Sequence, residues 1–447
     1  MVANQNLSRL YSPACFISQA AGQSGIPVLR AAPGEILYPF TEGDTPDGMG
    51  LCHSENLKAL CRHHGITMYH NLMNHNVEIY IPGAQILEDE KNNLEKYGIR
   101  DVAIASNMTI DRMDQMVLTV ACESPYHPFI NSLSQVEWDG VDRFNSLVDT
   151  VNTPHRDIFY QVLRAWMRAV VIAAMASYGG RPPRDVLVFA GEQKIGKTTW
   201  FRRLIPEGMF GEGLHLNPND KDSLIKSVKW LVCELGELDG TFKKSDIAAL
   251  KAHISSPRDE VRLPYAKDVS SWPRRTVYCG TVNDPEFLVD STGNSRWKVV
   301  TANSFDLDTM TIWQRDGTLW QIWKQIEQEV LSGEPWWVDE SVEKALIEHV
   351  DQYRRKTHAE SVLEDIYDWD APMELWRYLN ATHIAEEVGL KVDRQGHAGV
   401  GPALKRLLRN YTGQEKAKRV RGYVGNVWQV PPKVPNVVPG FFKQPDN

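Results

Sequence analysis

The segment Asp185 to Thr198 limits what this chain can fold into more than any other stretch. Asp185 to Ala190 (DVLVFA) is a short apolar run with β-branched side chains, preceded by the breaker Gly179-Gly180-Arg181-Pro182-Pro183. A run of that kind between turn signals predicts a buried strand. It opens into Gly191-Glu-Gln-Lys-Ile-Gly196-Lys197-Thr198, which matches G-x-x-x-x-G-K-[ST]. The glycines let the backbone curl so that N–H groups face an anion. The helix expected from Lys197 to Ile205 presents its N-terminus to the same charge. Strand, loop and helix in this order predict a P-loop that takes ATP. Gly191, Gln193, Lys194, Gly196, Lys197, Thr198 and Thr199 form it, with Lys197 on the β/γ-phosphates and the Thr198 hydroxyl on Mg²⁺.

Further αβ alternation predicts the α/β class. Trp230 to Cys233, Thr276 to Thr281 and Trp297 to Val300 read as strands, and Asp246 to Ser255 and Trp313 to Leu331 as helices. That order implies a parallel sheet flanked by helices. Upstream, Ile158 to Met175 repeats apolar pairs every four residues, a helix signal. Its most apolar part, Val162 to Met175, carries Arg164 and Arg168 and falls short of the roughly 20 apolar residues a bilayer requires. We expect a buried helix and no membrane.

A phosphate loop needs an acid on a neighbouring strand to hold Mg²⁺ and orient water. Trp230-Leu-Val-Cys-Glu234-Leu-Gly-Glu237 runs from apolar residues into two carboxylates. Glu234 is the expected metal-side acid. Glu237 is the candidate to activate the attacking water, or else a surface helix-cap acid. Asn283 ends the next strand and suits a sensor of the γ-phosphate, although Asn283-Asp284-Pro285 also favours an Asx turn. Arg296, beside a glycine turn, is a candidate to complete a neighbouring subunit's site, or else an ordinary ion-pair residue.

The ends of the chain read differently. Residues 1–50 are rich in Gly, Pro and Ala and predict an extended arm. Residues 51–150 predict a small, mainly helical domain: helices at Glu55–His63, Gln85–Lys96 and Ile110–Cys122, and a strand near Val77–Ile81. The ATPase-like domain occupies 151–350. Beyond it, Pro372–Leu379, Thr382–Val388 and Gly401–Tyr411 read as helices, and Lys416–Val420 and Val424–Val430 as strands. That is the outline of a winged-helix-like domain over 356–431, before a Pro-rich tail at 432–447. The net charge is −8, yet Lys391 to Arg421 holds nine Lys or Arg against two acids. Such a local patch points to nucleic acid. Lys405, Arg406 and Arg409 on the last helix, with Lys418 and Arg419 on the ribbon, are the expected phosphate contacts. Six scattered cysteines without a C-x-x-C pair, and no apolar leader in the first 30 residues, lead us to expect a cytoplasmic protein.

Five blocks in order resemble the virulence-associated E family, replication proteins of phages and mobile islands in the superfamily 3, AAA+ helicase class. They are HPFINSLSQVEWDGVDRF (127–144), GEQKIGKTTW (191–200), KWLVCELGEL (229–238), RLPYAKDVSSWPRRTVYCGTVND (262–284) and FLVDSTGNSRW (287–297). The resemblance implies an ATP-driven DNA motor assembling as a ring, hexameric in the family pattern, with nucleotide between subunits. It further implies a pore hairpin, here Val261 to Ser271, whose Arg262, Tyr265 and Lys267 contact single-stranded DNA. The family commonly has paired arginines where this chain has Ser295-Arg296, so Arg274 and Arg275 stand as substitutes for Arg296. No primase centre is visible upstream, so a separate primase or polymerase is an expected partner. An initiator or regulatory ATPase that does not unwind processively, and an NTPase of a defence system, remain the alternatives.

Overall fold

The computed structural model describes residues 36–44, 48–84, 91–179, 181–214, 220–236, 244–261, 269–283, 296–351, 357–390, 399–408 and 427–434. The chain divides into two compact units, residues 1–354 and 355–447.

The first unit is organised by a five-stranded parallel sheet. Its strands are β1 (Val186–Ala190), β2 (Phe210–Leu214), β3 (Val232–Leu235), β4 (Val277–Val282) and β5 (Trp297–Thr301). Their spatial order is β5-β1-β4-β3-β2. Pleating sends alternate side chains to opposite faces, and both faces are apolar. Leu187, Phe189, Val277, Cys279 and Val300 join one core, packed on the helices Arg156–Met175, Lys197–Leu204 and Thr318–Leu331. Val186, Val188, Cys233, Tyr278 and Val299 join the other, with Leu250 and Ile254 of the helix Lys244–Ser255. The unbroken apolar reading of β1 is the mark of a strand covered on both sides.

Four of these strands were expected, and β2 was not. Phe210-Gly-Glu-Gly-Leu214 carries two glycines, which weaken a strand pattern. The fold needs at least the first of them: a Cβ on Gly211 would lie 2.4 Å from the Trp230 ring. The register with β3 shifts between Gly211 and Leu214, as an edge strand tolerates.

The helix Arg156–Met175 is long and apolar enough to cross a membrane, but it is buried here as a core element. Arg164 and Arg168 both reach Glu329, at 2.6 Å each. Trp166, Trp200 and Trp323 are wholly buried, and each indole N–H has an acceptor: Tyr278 O at 3.0 Å, Thr150 Oγ1 at 2.8 Å and Leu204 O at 3.0 Å. They are core anchors with satisfied polar ends.

A second layer of the same unit covers residues 54–126. The helices Ser54–His64, Lys91–Ala105 and Met113–Ala121 pack on the strands Thr67–Asn71, Val77–Tyr80 and Pro125–Tyr126 around Leu57, Leu60, Ile79, Ile99 and Met113. The strand Thr67–Asn71 was not foreseen. Residues 36–44 and 48–50 are held rather than loose, for Phe40 N donates to Asn56 Oδ1 at 3.0 Å and Asn56 returns a bond to Leu51 O at 2.8 Å. The rest of the expected arm lies outside the described residues.

In the second unit, a helix His358–Ile366 is capped reciprocally by Thr357 and Glu360. The predicted helix Pro372–Leu379 is instead a short 3-10 turn, Met373–Leu375, followed by a strand Arg377–Asn380. That strand pairs antiparallel with Val427–Val430. Tertiary pairing overrides the helical propensity of this segment, as is common for strands. Asn380 then caps the helix Ala381–Glu387 by accepting from His383 N at 2.8 Å. The helix Val400–Leu407 buries Val400, Ala403 and Leu404. Lys416–Val420 lies outside the described residues.

Removing Glu329 strands two guanidiniums that are themselves mostly buried. Glu329→Ala is expected to cost roughly 3 kcal/mol, read as a lower urea midpoint for the first unit. An Arg164→Met/Arg168→Met/Glu329→Leu chain should recover much of that loss.

Candidate functional site

The carboxyl ends of β1, β3 and β4 bring the candidate residues together. Open parallel sheets bind ligands at this edge because the loops leaving neighbouring strands converge there. After Ala190 the chain turns through Gly191–Gly196 into the helix Lys197–Leu204. Two glycines permit that path. A Cβ on Gly191 would lie 2.3 Å from the carbonyl oxygen of Ala302, which no backbone tolerates. Gly196 sits at φ 101°, a left-handed conformation, and a Cβ there would press on Leu307. Lys194 also has a positive φ of 69°. Gln193 and Lys194 are exposed on the loop, while Thr199 is half-buried on the first helical turn.

Lys197 is 7% exposed, and its ammonium donates to three oxygens: Gly191 O at 2.8 Å, Glu192 O at 2.7 Å and Asn283 Oδ1 at 2.9 Å. Thr198 Oγ1 donates to Glu234 Oε1 at 2.6 Å. Lys197, Thr198, Glu234 and Asn283, expected from three separate motifs, therefore meet at one place. Glu234 is 3% exposed and is further held by Thr281 Oγ1 at 3.0 Å and by the N–H of Gly213 at 3.1 Å. Thr281 and Gly213 escaped the sequence reading. A hydroxyl at the polar end of β4 was visible, but its partner depends on which strand lies beside it. The Thr198 hydroxyl and the Glu234 carboxylate are adjacent hard oxygen donors, the ligand type Mg²⁺ takes. Glu237 lies outside the described residues.

Arg296 lies at the other end of the sheet. It immediately precedes β5, where Trp297 pairs with Val186, whereas the loop leaves β1 beyond Ala190, which pairs with Thr301. The length of a strand separates them, on the order of 15 Å. Arg296 Nε donates to Ser255 Oγ at 2.7 Å, and burial, then the charge of Arg184, push its guanidinium down. It cannot act on the loop of its own chain. The two substitutes for it differ in their surroundings. Arg274 is 1% exposed and forms an ion pair with Asp259, its Nε donating to Asp259 Oδ1 at 3.0 Å. Arg275 has Nε and Nη1 buried.

The expected pore segment is a hairpin at its base, where Arg258–Val261 pairs antiparallel with Ser270–Pro273. Arg262, Tyr265 and Lys267 lie outside the described residues. In the second unit Lys405 is exposed, but Arg406 is not presented for phosphate contact. Its Nη1 binds Glu360 Oε1 at 2.5 Å, and that carboxylate is 1% exposed, so Arg406 neutralises a buried acid. Arg409, Lys418 and Arg419 lie outside the described residues.

Residues 133–356 match the family model of the virulence-associated protein E-like domain. No curated protein matches. Among solved structures, the chain is similar to the apo C-terminal region (305–718) of NrS-1, at 11% identity and a TM-score of 0.38 over 84% of this chain and 98% of that one. It is also similar to an inhibitor-bound JCV helicase, at 14% identity and a TM-score of 0.26 over 62% of this chain and 84% of that one.

The contact of Gly191 with Ala302 gives a direct test. Gly191→Ala must displace either the loop or the turn after β5. It is expected to lower the thermal midpoint and abolish binding of a fluorescent ATP analogue. Glu192→Ala, at the next, exposed side chain, should do neither.

Proposed function

The chain belongs to the virulence-associated protein E-like family, and from that premise we propose that it is an ATP-dependent, ring-forming DNA helicase. It acts in phage or mobile-element DNA replication in the cytoplasm, as a homo-oligomer of six subunits in the family pattern, served by a separate primase or polymerase. The observation that carries this reading is the meeting of Lys197, Thr198, Glu234 and Asn283 at the carboxyl ends of three adjacent strands of a β5-β1-β4-β3-β2 sheet. We read that sheet as a P-loop AAA+ core.

On this reading ATP phosphates enter the Gly191–Thr198 loop, and Lys197 exchanges its carbonyl partners for phosphate oxygens. Thr198 and Glu234 would hold Mg²⁺, which would offset the negative charge of the phosphates. Asn283 stays bonded to Lys197 and faces the γ-phosphate, and Glu237 orients water. Arg296, remote from its own loop, serves the loop of the neighbouring subunit, which makes the assembled ring the active form. The hairpin tip, with Arg262, Tyr265 and Lys267, tracks single-stranded DNA by charge and stacking. The described residues of the second unit run helix, strand, helix, helix, strand, with the two strands paired, which supports a winged-helix reading. Lys405, Arg409, Lys418 and Arg419 then remain for duplex phosphates.

A forked-duplex assay with ATP tests the motor. The chain should unwind the fork, and Lys197→Ala should reduce ATP hydrolysis by orders of magnitude without unfolding. DNA-stimulated hydrolysis with no strand separation would replace the helicase by an initiator-type ATPase.

Mixing tests the shared site. Arg296→Ala should bind nucleotide but not hydrolyse it. Combined with Lys197→Ala protein, it should regain part of the activity, because one interface in the mixed ring carries both an intact loop and an intact arginine. Absence of rescue in assembled rings would remove Arg296 from this role.

A further inference from the structure

Buried polar atoms almost always find partners, yet six without one gather at the foot of the hairpin. They are Nδ1 of His70, Nδ1 and Nε2 of His127, Nε1 of Trp272, and Nε and Nη1 of Arg275. Only five other such atoms occur among the described residues. His127 is 6% exposed and immediately precedes the helix Pro128–Ser134. His70 belongs to the strand Thr67–Asn71, Trp272 to the second arm of the hairpin, and Arg275 follows that arm. The second layer and the sheet unit therefore meet here.

His75 closes the contact. Its ring centroid lies 3.8 Å from that of Trp272 and 6.3 Å from that of His70. It sits at φ 62°, in the left-handed region that a residue with a Cβ enters only at a cost. Two bonds hold it there: its N–H donates to Asn71 O at 2.8 Å, and Asn71 N–H donates to Asn76 O at 2.9 Å. Strain of this kind concentrates at binding and catalytic sites.

The chemistry of the cluster selects a ligand class. The charges acting on His70, His75 and His127 are those of Arg275, of one another and, for His75, of Lys229, with no carboxylate among them. Glu78, on the adjoining strand, is occupied by Asn71 and Tyr126. Burial, reinforced by Arg275, holds the imidazoles of His75 and His127 down to about 3, so near neutral pH each is uncharged and carries one N–H. Arg275 contributes two further donor nitrogens, with three N–H groups between them, and a positive charge, and Trp272 contributes one N–H. A metal ion is disfavoured by the guanidinium, and the described residues contain no metal-ligating group of three. Donors around one cation, without an acid, match an oxyanion.

We propose that His70, His127, Trp272 and Arg275 form a binding site for a phosphate group, separate from the Gly191–Thr198 loop. The phosphate is either free orthophosphate or one phosphodiester of a DNA strand passing the hairpin. Either source locks the hairpin to the second layer through Arg275.

The test uses the full-length Lys197→Ala chain, in which the loop's own hold on phosphate is removed. The result then does not depend on whether the loop hydrolyses ATP. Orthophosphate and an oligothymidylate are titrated separately by calorimetry at constant ionic strength. One equivalent of orthophosphate should bind, and Arg275→Gln should weaken it about tenfold or more. Trp272→Phe, which keeps the ring and removes one donor, should weaken it several-fold. Binding of the oligothymidylate alone, with the same sensitivity to both substitutions, assigns the phosphate to a strand. Should Arg275→Gln fail to fold, Trp272→Phe decides. No binding of either probe, or binding indifferent to the substitutions, overturns the site and leaves the cluster to water.

Discussion

The buried carboxylate of Glu234 is the constraint on which the candidate site depends. Removing such a group from water is costly, and only a full set of hydrogen bonds offsets the loss. Here the set is drawn from three directions: Thr198 after the loop, Thr281 on β4 and the Gly213 N–H on β2. The carboxylate thus ties the edge strand, the central strand and the helix Lys197–Leu204 at one end of the sheet.

That polar knot holds its place because the sheet beneath it is apolar on both faces. The pleat divides β1 between two cores, with Leu187 and Phe189 on one side and Val186 and Val188 on the other. A slip of one residue would exchange the faces and carry Glu234 away from Thr198. The large indoles that fill the first core also donate to backbone oxygens or to Thr150. Helices and sheet are therefore oriented by directional bonds as well as by area.

Two adjacent arginines illustrate how position overrules residue type. Arg274 turns inward to Asp259 and the carbonyl of His253, closing the start of the hairpin against the helix Lys244–Ser255. Arg275 turns toward the imidazoles of the second layer. Arg274 is thereby spent inside the fold, whereas Arg296 stands half-buried at the sheet end opposite the loop.

What the sequence determined by itself was whatever local pattern encodes. The apolar run 185–190, the two glycines and Lys197-Thr198 define strand, turn and helix within a few residues, so the loop was legible before any neighbour was known. The strand ends carrying Glu234 and Asn283 were legible for the same reason. Tertiary structure alone decided strand order, and with it that Thr198, Glu234 and Thr281 share a hydrogen-bond network. It also decided that the glycine-broken β2 is a strand at all, that Arg377–Asn380 pairs with Val427–Val430 rather than coiling, and that Arg406 answers Glu360. Those outcomes rest on contacts between residues far apart in the chain. A window of neighbouring residues holds no record of which distant backbone or charge will arrive beside it.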